Sequence, residues 1–102
     1  MKARAILINA QDDVATALTD LQAGDSVAVA LADVSATITL REDIKLGHKY
    51  ALRDIAEGEA ILKYGLPIGK ALSDIQAGDW VHVHNCRSER FGFHREQYGL
   101  NA

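Results

Sequence analysis

Apolar and polar positions alternate along this chain in short runs, with no long stripe at helical spacing. Residues two apart on a strand face the same way, so Ser26-Val27-Ala28-Val29-Ala30-Leu31 reads as a strand with one buried face. The same pattern predicts strands over Ala5-Ile6-Leu7-Ile8 and over 36–40, 48–52, 60–64, 67–71 and 80–84. A short motif recurs between them. Asp20-Leu21-Gln22-Ala23-Gly24-Asp25 returns as Asp54-Ile55-Ala56-Glu57-Gly58-Glu59 and again as Asp74-Ile75-Gln76-Ala77-Gly78-Asp79. Its form is Asp, an aliphatic residue, two variable positions, Gly and an acid, which predicts a tight turn. The leading Asp is expected to accept from amides two or three residues on, and the aliphatic residue to plug the core. The Gly suits a left-handed backbone. Each copy leads into a strand, and the uneven spacing excludes a solenoid.

Two segments are less determinate. Over 13–21, Val14, Ala17, Leu18 and Leu21 fit helical spacing with Asp12 or Asp13 as cap, and the same residues suit a strand ending in the first repeat turn. Gly65, Pro67 and Gly69 predict a hairpin or corner. From Arg87 onward the chain is polar and charged, with Phe91, Phe93 and Tyr98 interspersed. The reading is therefore a β domain over 1–86 and a polar C-terminal extension over 87–102, suited to docking on a neighbour.

Composition narrows the picture. A chain of 102 residues is one domain with one core. It is 48% hydrophobic but only 6% aromatic, so the core is built mainly from Val, Ile, Leu and Ala in stacked short elements. The net charge of -3, with both signs mixed, lacks the basic stripe that nucleic-acid binding requires. No apolar run reaches membrane-spanning length, and the start does not read as a signal peptide. The single cysteine, Cys86, has no internal disulfide partner. Together these features imply a cytoplasmic protein that binds neither nucleic acid nor membrane.

Candidate chemistry lies in three places. On a strand, His82 and His84 of His82-Val83-His84-Asn85 would emerge on one face about 6.5–7 Å apart, with Val81 and Val83 in the core. Two imidazoles so placed can share a metal, grip an anion or pass a proton. Structural zinc needs four ligands and no second cluster is visible, so an anion-facing or interface role is favoured over a metal site. Gly47-His48-Lys49 sets a titratable group beside a fixed cation, which suits carboxylate recognition or acid–base work, against a plain solvated loop. Lys63-Tyr64-Gly65 with Ile68-Gly69 lacks the Gly-Lys-Ser/Thr end of a phosphate loop and reads as a structural turn. Cys86 has no activating motif, and His94 has no evident partner.

Taken in order, these motifs resemble a known family. Ile44-Lys45-Leu46-Gly47-His48-Lys49-Tyr50-Ala51-Leu52-Arg53-Asp54-Ile55, with Glu57-Gly58-Glu59, is similar to the small N-terminal domain of altronate and galactarate dehydratases. Lys63-Tyr64-Gly65, Ile68-Gly69, Asp74-Ile75, Gly78-Asp79 and His82-Val83-His84-Asn85 follow in that family's order. Lys45 and Tyr50 depart from it, standing where Pro and a smaller aliphatic are expected. The resemblance implies a mainly β fold, a compact SAF-type β-clip of short strands and tight turns with room for one short helix.

It also implies a sugar-acid dehydratase, a hydro-lyase giving a 2-keto-3-deoxy acid. This chain would be the small subunit, acting with a separate large dehydratase-like subunit and inactive alone. A divalent metal of iron or manganese type is expected in that partner, with none assigned to this chain. His48, His82 and His84 are the catalytic candidates, and Lys49 and Asn85 the substrate-binding ones; the alternative is that all five only shape the interface. The small subunit of sulfolactate sulfo-lyase is similar as well, and would expel sulfite instead of water. A non-catalytic SAF module binding a carbohydrate or a protein is the reading from a different class. Substrate and copy number, including self-association, stay open.

Overall fold

The computed structural model describes residues 3–88. Among these residues nine short strands account for the regular structure: β1 (Ala5–Ile6), β2 (Val14–Ala17), β3 (Ser26–Leu31), β4 (Val34–Thr39), β5 (Lys49–Ala51), β6 (Ala60–Lys63), β7 (Leu66–Ala71), β8 (Trp80–Val81) and β9 (Cys86–Arg87). They form an antiparallel sheet in the order β1-β2-β5-β8, a β3-β4 hairpin, and a sheet in the order β6-β7-β9. The fold is mainly β, as expected. No helix among the described residues is long and apolar enough to cross a membrane. The boundary drawn after residue 86 falls inside β9, and the tail features at Phe91, Phe93, His94 and Tyr98 lie outside the described residues.

The ambiguous segment 13–21 resolves as a strand. In β2, Val14 faces one apolar cluster while Ala15 and Ala17 face the other, and Leu18, which the helical stripe would bury, is 46% exposed. Neither Asp12 nor Asp13 caps a helix, because both carboxylates are buried and committed elsewhere. Asp12 accepts the amides of Asn9, Tyr64 and Gly65, which shapes the turn between β6 and β7. Asp13 accepts the amide of Leu62 at 2.9 Å and Arg53 Nε at 2.7 Å. Buried carboxylates need such charge-assisted partners to offset desolvation.

The repeat turns pair with each other, and there are four of them. The fourth is Asp43-Ile44-Lys45-Leu46-Gly47-His48, which follows the motif until its last position. Leu21 and Ile44 exchange backbone hydrogen bonds, and so do Ile55 and Ile75. The leading Asp does not bond within its own turn as expected. It reaches across instead: Asp20 accepts from Leu46, Asp43 from Ala23, Asp54 from Ala77 and Asp74 from Glu57, each at 2.9 Å. The local bond is made by the closing acid, which accepts the amide three residues back in Asp25, Glu59 and Asp79. Positive φ at all four motif glycines, between 85° and 92°, explains why the fifth position tolerates nothing bulkier.

Two halves of one plan result, and they share β5. The first runs β2, turn, β3-β4 hairpin, turn, β5; the second runs β5, turn, β6-β7 hairpin, turn, β8. Ala17 donates to the His48 carbonyl and accepts from Gly47, as Ala51 donates to Asp79 and accepts from Gly78. Each half has its own core, which corrects the single core expected from length, with Leu21, Val27, Leu40, Ile44 and Tyr50 in one and Ile55, Ile61, Ala71, Ile75 and Val81 in the other. Burying each of the Val, Leu and Ile side chains among them contributes about 1.5–3 kcal/mol.

Candidate functional site

The backbone of the fourth turn closes without its side chain. His48 N–H donates to the Lys45 carbonyl at 2.9 Å, the bond that Asp25, Glu59 and Asp79 make in their turns at 2.9–3.0 Å. Residue 48 is therefore released from the structural duty of the closing acid. Its half-buried imidazole turns toward the segment that follows β8.

That segment is a turn, which corrects the strand expected over 80–84. The ladder stops at Val81, and the Asn85 and Cys86 amides both donate to the His82 carbonyl, at 3.0 and 2.8 Å. Asn85 clamps the turn: its Oδ1 accepts the His82 amide at 2.9 Å and its Nδ2 donates to the Trp80 carbonyl at 2.8 Å. Asn85 is buried by this role, whereas Val83, expected in the core, is 75% exposed at the tip. His82 and His84 meet through the turn rather than through strand alternation.

Trp80 is the platform they share. His82 stacks on the indole with centroids 4.9 Å apart and planes within 12°, and His84 lies at 5.0 Å, tilted by 42°. His48 sits 5.6 Å from the indole and 5.2 Å from His82. The Trp80 Nε1–H donates to His48 Nδ1 at 3.1 Å. All three predicted catalytic histidines are thus brought into one aromatic cluster. Partial burial lowers the His82 pKa, with further lowering by His48, Lys49 and His84, so the neutral imidazole is favoured.

His82 also lines an adjoining open cleft of about 350 Å³ with Lys49, Lys63, Tyr64, Val83 and Cys86. Lys49 opposes Val81 across the β5-β8 ladder. Burial and then the neighbouring Lys63 lower the Lys49 pKa. Two ammonium groups close enough to repel each other, with no carboxylate among the described residues that line their cleft, make a place for an anion. Burial raises the Cys86 thiol, in keeping with an inert cysteine. Among the described residues no group of three or more His, Cys, Asp or Glu side chains is placed to hold a metal ion.

Of the five site residues read from the sequence, four border this face and Asn85 braces it from behind. Trp80 and Lys63 were missed as site residues. The signals for Trp80 were its being the single tryptophan of a chain poor in aromatics and its place just before the paired histidines. Lys63 was read only as part of a turn, and its approach to Lys49 depends on tertiary packing.

Comparison with known proteins identifies the family. The altronate/galactarate dehydratase SAF domain model matches residues 3–89. Altronate dehydratase of Escherichia coli (strain K12) is 54% identical over 83 residues, covering 81% of this chain and 16% of the relative. Altronate dehydratase of Bacillus subtilis (strain 168) is 45% identical over 83 residues with the same coverage of 81% and 16%. The alpha subunit of (2R)-sulfolactate sulfo-lyase from Chromohalobacter salexigens is 42% identical over 52 residues, which is 51% of this chain and 55% of that subunit. This chain thus spans a small part of the dehydratases and about half of the sulfo-lyase subunit. With its whole described length matched, the chain belongs to the altronate/galactarate dehydratase SAF domain family.

Proposed function

We propose that this chain is the small subunit of a sugar-acid dehydratase, contributing one wall of a site completed by a separate large subunit. The observation that carries this reading is the meeting of the His48, His82 and His84 cluster with the Lys49 and Lys63 cleft, joined through His82. Dehydration of a sugar acid needs an anion site for the carboxylate, a group to take the proton beside it, and a donor for the departing hydroxyl. Lys49 and Lys63 hold the carboxylate, and the imidazoles supply hydrogen bonds and proton movement at the reacting centre. Asn85 keeps the turn that presents His82 and His84. Exposed Val83 and Tyr64, 75% and 53% accessible on the cleft rim, suit a face covered by a partner. The partner is expected to hold a divalent metal of iron or manganese type, which would stabilise the enediolate formed next to the carboxylate.

A second reading is favoured by one observation: a matched sulfo-lyase relative is itself a named subunit of comparable size. The lysine cleft would accept a sulfonate as readily as a carboxylate.

The test is to co-purify the chain with a large dehydratase-like subunit and assay the complex on altronate, galactarate and sulfolactate. Water elimination from a sugar acid supports the first reading, and sulfite release from sulfolactate alone replaces it with the second. Lys49→Met is expected to raise KM about tenfold by removing a charge-assisted contact. Recovery of the chain with no partner, stable alone and inert on all three substrates, would leave a free binding module.

A further inference from the structure

We infer that Trp80 is a positioning residue that fixes the tautomer of His48, so that this imidazole meets a substrate oxygen as a hydrogen-bond donor and not as a base. The indole nitrogen can only donate, and a neutral imidazole has one donor and one acceptor nitrogen. The 3.1 Å bond from Trp80 Nε1 therefore makes His48 Nδ1 the acceptor and leaves the ring proton on Nε2. Fixing one imidazole nitrogen by a buried partner is the ordinary way proteins assign the role of the other.

The indole is well braced for this task. The Trp80 backbone amide donates to Glu42 Oε2 at 3.0 Å, the Trp80 backbone carbonyl accepts from Asn85 Nδ2 at 2.8 Å, and His82 is stacked on the ring. His48 is braced from the other side by the closed backbone of its turn. Two rings anchored on separate elements, β8 and the turn before β5, are thereby held in one relative orientation. The roles of the histidines divide accordingly. His48 presents Nε2–H, while His82, whose charged form is disfavoured by burial and by His48, Lys49 and His84, is the neutral ring available to accept. The donor role rests on the reading that His48 faces substrate in the assembled enzyme; the tautomer does not.

Nitrogen NMR of the imidazoles in the full 15N-labelled chain near neutral pH decides the tautomer. The expected spectrum has His48 with an unprotonated Nδ1 and a protonated Nε2, and Trp80→Phe shifts it toward a mixture. A protonated Nδ1 in the wild-type chain overturns the inference, and that spectrum needs no variant to fold. An unchanged tautomer in folded Trp80→Phe would also overturn it.

The donor role is read in the complex by comparing His48→Gln, whose amide N–H can stand near Nε2, with His48→Asn, whose shorter amide stands near Nδ1. His48→Gln is expected to keep most of kcat while His48→Asn loses about a hundredfold. Equal loss in both refutes the donor role. Full activity in both, with the tautomer as expected, refutes the placement of His48 against substrate and leaves Trp80's control of the ring standing.

Discussion

Replacing His48 by Asp restores the acid that closes the other three repeat turns, and it separates what the fold wants at this position from what the site wants. In those turns a carboxylate accepts the amide of Gln22 at 2.9 Å, Ala56 at 2.6 Å and Gln76 at 2.8 Å. The equivalent donor in the fourth turn is the Lys45 amide. A carboxylate capping a solvent-accessible amide is worth about 1 kcal/mol. The substitution also removes the bond from Trp80 and the ring contacts, but His48→Ala removes these equally, so the two variants are compared with each other. His48→Asp should be more stable than His48→Ala by about 1 kcal/mol, or about 4–8 °C in Tm for a domain of this size. Urea and thermal unfolding at pH 7 measure it.

The advantage should fade in acid. The same arrangement holds the Asp25 carboxyl below its usual range, first through the Gln22 amide and then through Arg4. A carboxyl whose folded pKa lies below its unfolded value near 3.9 stabilises above that value, and the stability is lost as pH falls through the folded pKa. Equal stability of the two variants at pH 7, or an advantage unchanged at pH 2, would refute the repeat argument. If the proposed function holds, both variants should lack turnover in the complex with the large subunit.

Three further outcomes are expected. Tyr50→Phe should be neutral to stabilising by about 1 kcal/mol, because the Tyr50 hydroxyl is fully buried with no hydrogen-bond partner among the described residues and burial pushes its pKa up to about 12; a clear drop in urea midpoint would reveal a partner for it. Asp12→Ala should cost about 3 kcal/mol by stranding the Asn9, Tyr64 and Gly65 amides, measured by equilibrium unfolding. Since the folded pKa of His82 is lowered, the folded state binds fewer protons than the unfolded one, so stability should fall as pH drops below about 6.5. His82→Gln should flatten that part of the urea-midpoint profile, and an identical profile would contradict the lowered pKa.

Much of the fold could be read from local pattern, because a strand with one buried face and a turn closed by Gly leave signatures within a few residues. Alternation in Ser26–Leu31 and the three acid-closed turns are of that kind. What escaped reading depends on partners far along the chain. The pairing of turns places Asp20 on Leu46, and nothing near either residue announces it. The fourth turn was hidden by the substitution that gives it interest, since His48 breaks the acid rule. Alternation misled at His82-Val83-His84, where Asn85 folds the chain back on itself and leaves Val83 in solvent. The histidines themselves were legible as candidates; their gathering on Trp80 required β5 and β8 to pair.

The sharing of β5 has a consequence for how the site can respond to a substrate. Lys49, Tyr50 and Ala51 finish one half and begin the other, and Tyr50 and Ala51 anchor the two different cores. No linker separates the halves, so neither can swing against the other without tearing a strand that both own. A site whose lysine stands on that common strand is held at a fixed height above the scaffold. On the proposed function, accommodation of different substrates would then come from side-chain rotation at the tip of the 82–85 turn or from a partner closing over it. Changes of specificity within such a chain are expected at rim positions such as Tyr64 and Val83, with the shared strand left alone.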